Sequence, residues 1–78
     1  MEKQLPECVS FGEAVRILRK RRGFSQDEFA AVADLHRTYV GGIERGERNP
    51  TLTTIYRIAR ALDVSPSELL LAAEEALE

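Results

Sequence analysis

The pattern Ser-x-x-Glu, set beside apolar residues at helical spacing, occurs three times in this chain, at Ser10/Glu13, Ser25/Glu28 and Ser65/Glu68. A serine hydroxyl can accept from the backbone N–H three residues on while the glutamate reaches back to the serine's own N–H, so each pair is a local instruction to begin a helix. After Ser10, the residues Phe11, Ala14, Val15 and Leu18 fall on one helical face, and Gly23 follows, which predicts a helix over 10–22. After Ser25, the residues Phe29, Val32 and Ala33 supply the apolar side of a short helix over 26–33. Asp34-Leu35 makes a tight turn into a third helix over 37–45, with His36 near its N-cap, Val40 and Ile43 turned inward, and Gly46 as a left-handed cap. Asn49-Pro50 breaks the chain, Thr51 caps a fourth helix with the stripe Leu52, Ile55, Ile58, Ala59 and Leu62, and that helix ends near Asp63. Pro66, at the first helical position after Ser65, opens a fifth helix reaching Leu77. No segment alternates with period two, so the chain is expected to be all-α, a compact five-helix domain over residues 10–78 preceded by an N-terminal arm at 1–9.

A chain of 78 residues holds one domain, and a domain this small buries only about 60% of its unfolded surface, so a partner subunit would add stability. Hydrophobic residues at 44% and charged residues at 31% give the balance of a soluble globular chain. No apolar run approaches the roughly 18 residues of a membrane span, and the first residues lack the layout of a signal peptide, so the expected location is cytoplasmic, with no membrane partner. Cys8 is the single cysteine and is read as a buried or half-buried thiol, unable to form an internal disulfide. With one histidine, no glycine-rich phosphate loop and no paired acids in an evident cleft, the chain is not expected to be an enzyme, nor to need a metal or cofactor.

The net charge of −2 conceals a segregation along the chain. Residues 1–15 carry −2 and residues 61–78 carry −5, whereas residues 16–60 carry +5, with ten Lys or Arg against five acids. A basic middle between acidic ends suits a polyanion partner. Within it, Arg19-Lys20-Arg21-Arg22 has two readings, as charge complementing the C-terminal end of the first helix dipole or as phosphate contacts beside a groove.

The runs Ser25-Gln26-Asp27-Glu28-Phe29-Ala30, Leu35-His36-Arg37-Thr38-Tyr39-Val40 and Ile43-Glu44-Arg45-Gly46-Glu47-Arg48-Asn49-Pro50-Thr51-Leu52 occur in this order and spacing. Together, over residues 10–72, they resemble the Xre or phage-repressor helix-turn-helix family. Arg37-Thr38-Tyr39-Val40 followed by Gly42-Ile43-Glu44-Arg45-Gly46 is most similar to the controller proteins of restriction-modification systems. The resemblance implies a lambda-repressor-like fold and a transcription regulator that binds a palindromic operator on double-stranded DNA as a homodimer, governing its own gene and that of the endonuclease. RNA polymerase is a further partner consistent with it. Other repressors of the same fold, such as a phage repressor or an antitoxin, are alternatives, and a protein-interaction adaptor is a third.

A helix entering the major groove N-terminus first sets its first-turn side chains against base edges, which makes the third helix the reading element. Arg37 can fork onto guanine O6 and N7, and Thr38 can touch a thymine methyl or bond to a base or phosphate. Tyr39 can reach the backbone with its hydroxyl or pack partly in the core. Gly41 and Gly42 lie inside this helix, where each costs about 1 kcal/mol relative to alanine. Gly41 is expected to compensate by letting the backbone approach the bases, although it lacks the serine that many relatives carry. His36 is expected to cap the helix or contact phosphate. The resemblance implies phosphate contacts for Gln26, at the start of the second helix, and for Arg45, Arg48 and Asn49, although Glu44 can instead tie Arg45 down internally, which is the reading expected for that residue. Leu52, Ile55, Leu71, Ala72 and Leu77 are expected to form the twofold interface, with Leu69 and Leu70 closing the core of one subunit.

Overall fold

The computed structural model describes residues 4–77. Five helices follow one another: α1 Pro6–Arg21, α2 Gln26–Ala33, α3 Arg37–Glu44, α4 Leu52–Leu62 and α5 Pro66–Leu77, with no strand among the described residues. Two of the three serine-glutamate pairs act as read. Ser25 Oγ accepts from the Glu28 N–H at 3.1 Å while Glu28 Oε1 accepts from the Ser25 N–H at 2.8 Å, and Ser65 with Glu68 repeats both bonds at the same lengths. Each pair holds its glutamate's carboxyl below the ordinary range, chiefly through the backbone N–H it accepts from.

The pair at Ser10 and Glu13 does not begin a helix, and the expected start at residue 10 is corrected. Leu5 is the N-cap and Pro6 the first helical residue, a position where proline's fixed φ and missing N–H cost nothing. Ser10 Oγ instead donates to the Glu7 carbonyl oxygen, and Glu13 accepts from the half-buried Arg16. Residues 6–9, expected in an arm, are therefore the first turn of α1. The extra turn brings Cys8 onto the same face as Phe11 and Val15, and its thiol is buried. Residues 1–3 of the expected arm and Glu78 lie outside the described residues.

The core is built from Val15 of α1, Phe29 of α2, Val40 and Ile43 of α3, Ile58 and Leu62 of α4 and Leu69 of α5, all fully buried. α1 lies along α5 and also crosses α3 and α4, while α2 packs on α3 and α4. The crossing of α1 over α3 is close, because Gly12 has no side chain: a methyl there would overlap the Ile43 carbonyl oxygen and stand 2.9 Å from that of Glu44. The α3–α4 connection likewise needs Gly46 (φ 77°), where a methyl would sit 2.8 Å from the Val9 Cα. Asp34 and Asp63 end α2 and α4 in the left-handed conformation, which aspartate tolerates better than most residues.

Two expected inward residues face solvent. Val32 is 57% exposed because Phe29, Ala30 and Ala33 already fill the inner side of the two-turn α2. Leu70, expected in the core, is exposed because Leu69 and Ala73, one turn apart, take the side of α5 that faces the core.

Candidate nucleic-acid interface

Three residues, Asp34, Leu35 and His36, separate α2 from α3, and this tight connection decides which side chains meet. His36 is the N-cap of α3, as the sequence implied: its Nδ1 accepts from the Thr38 N–H at 3.2 Å. An acceptor at Nδ1 places the proton of the neutral ring on Nε2, leaving an exposed donor at the helix start. Behind it Val40 and Ile43 point into the core, so Arg37 and Thr38 point out.

The far end of α3 is fixed by a buried polar cluster that the sequence did not reveal. Glu44 stands in the last turn, where the helix dipole disfavours a carboxylate. Arg19 of α1 compensates it, donating from Nε to Oε2 at 2.6 Å and from Nη2 to Oε1 at 3.0 Å. The third nitrogen of the fork, Nη1, donates to the Phe24 carbonyl oxygen at 2.8 Å, and Gln26 Nε2 donates to Glu44 Oε1 at 3.0 Å. No buried side-chain nitrogen or oxygen lacks a hydrogen-bond partner among the described residues. One carboxylate thus joins α1, α2 and α3, and the first turn of α3 projects from a rigid base.

The expected tie between Glu44 and Arg45 is corrected accordingly. Glu44 is spent on Arg19 and Gln26, and Arg45 turns outward to pair with Glu47, Nε to Oε2 at 3.0 Å and Nη2 to Oε1 at 3.2 Å. That bond to Arg45 lowers the pKa of the Glu47 carboxyl. Arg45 then roofs Gly41: its Nη1 lies 3.1 Å from the point a Gly41 methyl would occupy, and the Gln26 side-chain oxygen lies 3.8 Å from it. The direct approach to bases expected of the Gly41 backbone is therefore covered by Arg45 in the unbound protein. Gly42 has a different effect. A methyl there would stand 2.9 Å from Arg48 Cγ, so the glycine lets the Arg48 stem lie flat on α3. The Arg48 guanidinium then sits 5.9 Å from the centre of the Tyr39 ring, a cation–π distance. Tyr39 itself is half-buried against the core.

Gln26, Arg37, Thr38, Gly41 and Arg45 line one shallow depression of about 180 Å3. Arg48 and Asn49 are exposed in the connection that follows α3. Arg37 carries a partner that the sequence reading missed, Asp27 of α2, with 2.8 Å between Arg37 Nε and Asp27 Oδ1. A face with exposed arginines, a helix start and a histidine ring offers hydrogen bonds and positive charge to a polyanion.

The residues expected at a subunit interface divide in two. Leu52, Leu71 and Leu77 are largely exposed, at 68%, 55% and 55%, whereas Ile55 and Ala72 are half-buried against the core of their own chain. Tyr56 adds exposed apolar surface on α4 that the sequence reading did not anticipate. No helix among the described residues is long and apolar enough to cross a membrane.

Comparison with known proteins agrees with this fold. Residues 15–69 match the family model described as helix-turn-helix. The control protein C.BamHI of Bacillus amyloliquefaciens is 48% identical over 61 residues, which are 77% of this chain and 75% of that protein. The crystal structure of the restriction-modification controller protein C.AhdI from Aeromonas hydrophila superposes with a TM-score of 0.81 at 46% identity, covering 83% of this chain and 98% of that one. A chain of the controller protein C.Esp1396I, from the crystal structure of its tetramer in complex with its natural 35 base-pair operator, superposes with a TM-score of 0.83 at 27% identity, covering 91% of this chain and 93% of that one.

Proposed function

The chain belongs to the helix-turn-helix family, and from that footing we propose that it is a sequence-specific DNA-binding transcription regulator, the autoregulatory controller of a restriction-modification operon. The observation that carries this reading is the exposed first turn of α3, held by the Arg19–Glu44–Gln26 cluster with Arg37 and Thr38 free of the core. α3 enters the major groove, where Arg37 reads guanine and Thr38 a thymine methyl or a neighbouring edge. Gln26, His36, Arg48 and Asn49 contact phosphates, as does the Tyr39 hydroxyl, and Arg45, which covers Gly41, joins them.

The functional unit is a homodimer. Leu52 of α4 and Leu71 and Leu77 of α5 leave more apolar surface outside than a subunit of this size needs to close its own core. A twofold pairing through α4 and α5 would set two copies of α3 on half-sites about 34 Å apart, so the operator is palindromic. In the cytoplasm, an operator placed over a promoter would exclude RNA polymerase, and one placed upstream would recruit it.

The test is a titration of the purified protein on the DNA upstream of its own gene and on a scrambled duplex, repeated at several salt concentrations. Tight binding to the first alone, weakening steeply with salt, supports the proposal. Equal weak binding to both would refute sequence-specific autoregulation and favour a role as an adaptor between proteins.

A further inference from the structure

Arg37 opens α3 and Asp27 stands in the first turn of α2, and the two meet with 2.8 Å between Nε and Oδ1. Their side chains are 65% and 73% exposed, and an ion pair so open to water adds little to stability. Its consequence lies in the side chain it constrains. A guanidinium presents one N–H on Nε and two on each terminal nitrogen, in a fixed fork. Asp27 occupies the Nε edge. No other carboxylate pairs with Arg37 among the described residues, and the edge formed by Nη1 and Nη2 is one that fits O6 and N7 of guanine.

We propose that Asp27 is a specificity-determining residue that acts by positioning Arg37. Its carboxylate, paired with the Nε side of the guanidinium, biases the side chain toward the orientation in which the terminal edge meets one base pair. This rests on the reading of α3 as the element in the major groove. Released from Asp27, the long arginine side chain can swing to a neighbouring base or to a phosphate, and its preference broadens. Ordering the side chain before DNA arrives also reduces the entropy lost on binding. A carboxylate at the mouth of a polyanion site weakens binding to every sequence, so charge attraction alone does not account for its place there. Opposite Arg37 it becomes a selective element: where Arg37 finds no guanine, an acidic group still faces the DNA with nothing gained in return.

The experiment measures dissociation constants at one salt concentration for the wild type, Asp27→Ala, Asp27→Glu, Arg37→Ala and the Asp27→Ala/Arg37→Ala double variant. The probes are duplexes of the upstream DNA in which each base pair of one half-site is replaced in turn. Arg37→Ala is expected to lose about 5- to 150-fold discrimination at one base pair, the range of a single bidentate contact. Asp27→Ala is expected to lose about threefold or more at that same base pair while binding the mismatched duplexes as tightly as wild type or more tightly. Asp27→Glu restores part of the discrimination, and in the double variant the Asp27 substitution adds no further loss. Thermal midpoints of all variants stay near wild type. An Asp27→Ala variant that shifts every duplex by one common factor, or whose effect adds in full to that of Arg37→Ala, would overturn the proposal. Arg37→Ala losing nothing at any base pair would overturn the reading of α3 as well, an outcome that the Asp27 variants alone cannot produce.

Discussion

Arg19 and Glu44, twenty-five residues apart, face each other through two hydrogen bonds of 2.6 and 3.0 Å inside the domain, with 9% and 3% of their side chains exposed. The pair joins the end of α1 to the end of α3, and the same carboxylate receives Gln26 from α2. Removing one partner leaves a buried charge with too few bonds. Arg19→Met is therefore expected to cost about 3–5 kcal/mol, the usual loss when a buried ion pair is broken. Thermal unfolding would register it, at roughly 4–8 °C per kcal/mol for a domain of this size. By contrast, Glu13→Ala removes a half-exposed bond to Arg16 at the surface and is expected to leave the midpoint nearly unchanged.

Gly12 tests the close crossing of α1 over α3. In an isolated helix, alanine would be favoured there by about 1 kcal/mol. In the fold its methyl would press on the carbonyl oxygens of Ile43 and Glu44, which are backbone atoms and cannot step aside. Gly12→Ala is expected to destabilise by about 1–3 kcal/mol, as overpacking does. Urea unfolding measures this, and an unchanged or raised midpoint would show that the helices can move apart freely.

Gly42→Ala should separate binding from folding. The added methyl displaces the Arg48 stem from α3 and its guanidinium from Tyr39, and the rest of that side chain can move into solvent. The variant is expected to fold at least as well as wild type and to bind all DNA sequences more weakly. The slope of log affinity against log salt should become shallower by about 1 for each phosphate that Arg48 no longer reaches. Salt titration of the two proteins checks it.

Acid sensitivity follows from the two capping glutamates. Glu28 and Glu68 have carboxyls held below their ordinary range by the N–H groups of Ser25 and Ser65. The unfolded chain therefore takes up protons first as pH falls, so their contribution is present above the ordinary glutamate value of about 4.3 and is lost below it. Melting temperature followed from pH 6 to pH 3 should fall further for the wild type than for a Glu28→Gln/Glu68→Gln variant. Parallel curves would contradict the linkage.

Much of this was legible locally. The bounds of α2, the start of α5 at Pro66 and the left-handed cap at Gly46 rest on residues within one turn of each other, and each stands where the sequence placed it. Ser10 misled because a serine-glutamate pair inside a helix looks the same as one at its start. Only the burial of Cys8 and the cap at Leu5 distinguish them. Gln26, Arg37, Thr38 and Gly41 were singled out from the sequence and line one depression. The partners that orient them were not visible. Arg19 meets Glu44, and Asp27 meets Arg37, only after α1, α2 and α3 have packed, and no spacing along the chain encodes those pairs. Leu70, expected in the core beside Leu69, faces solvent for a related reason: in a run of three leucines, packing against α1 decides which one turns inward.

Whether α3 reads DNA sequence from a twofold dimer is tested by selecting bound duplexes from a randomised pool with the wild type and Arg37→Ala in parallel. The wild type is expected to enrich a palindrome whose half-sites lie about one helical turn apart. Arg37→Ala should enrich the same palindrome with one guanine position in each half-site no longer specified. No enriched motif, or an identical motif from both proteins, would contradict that reading of α3.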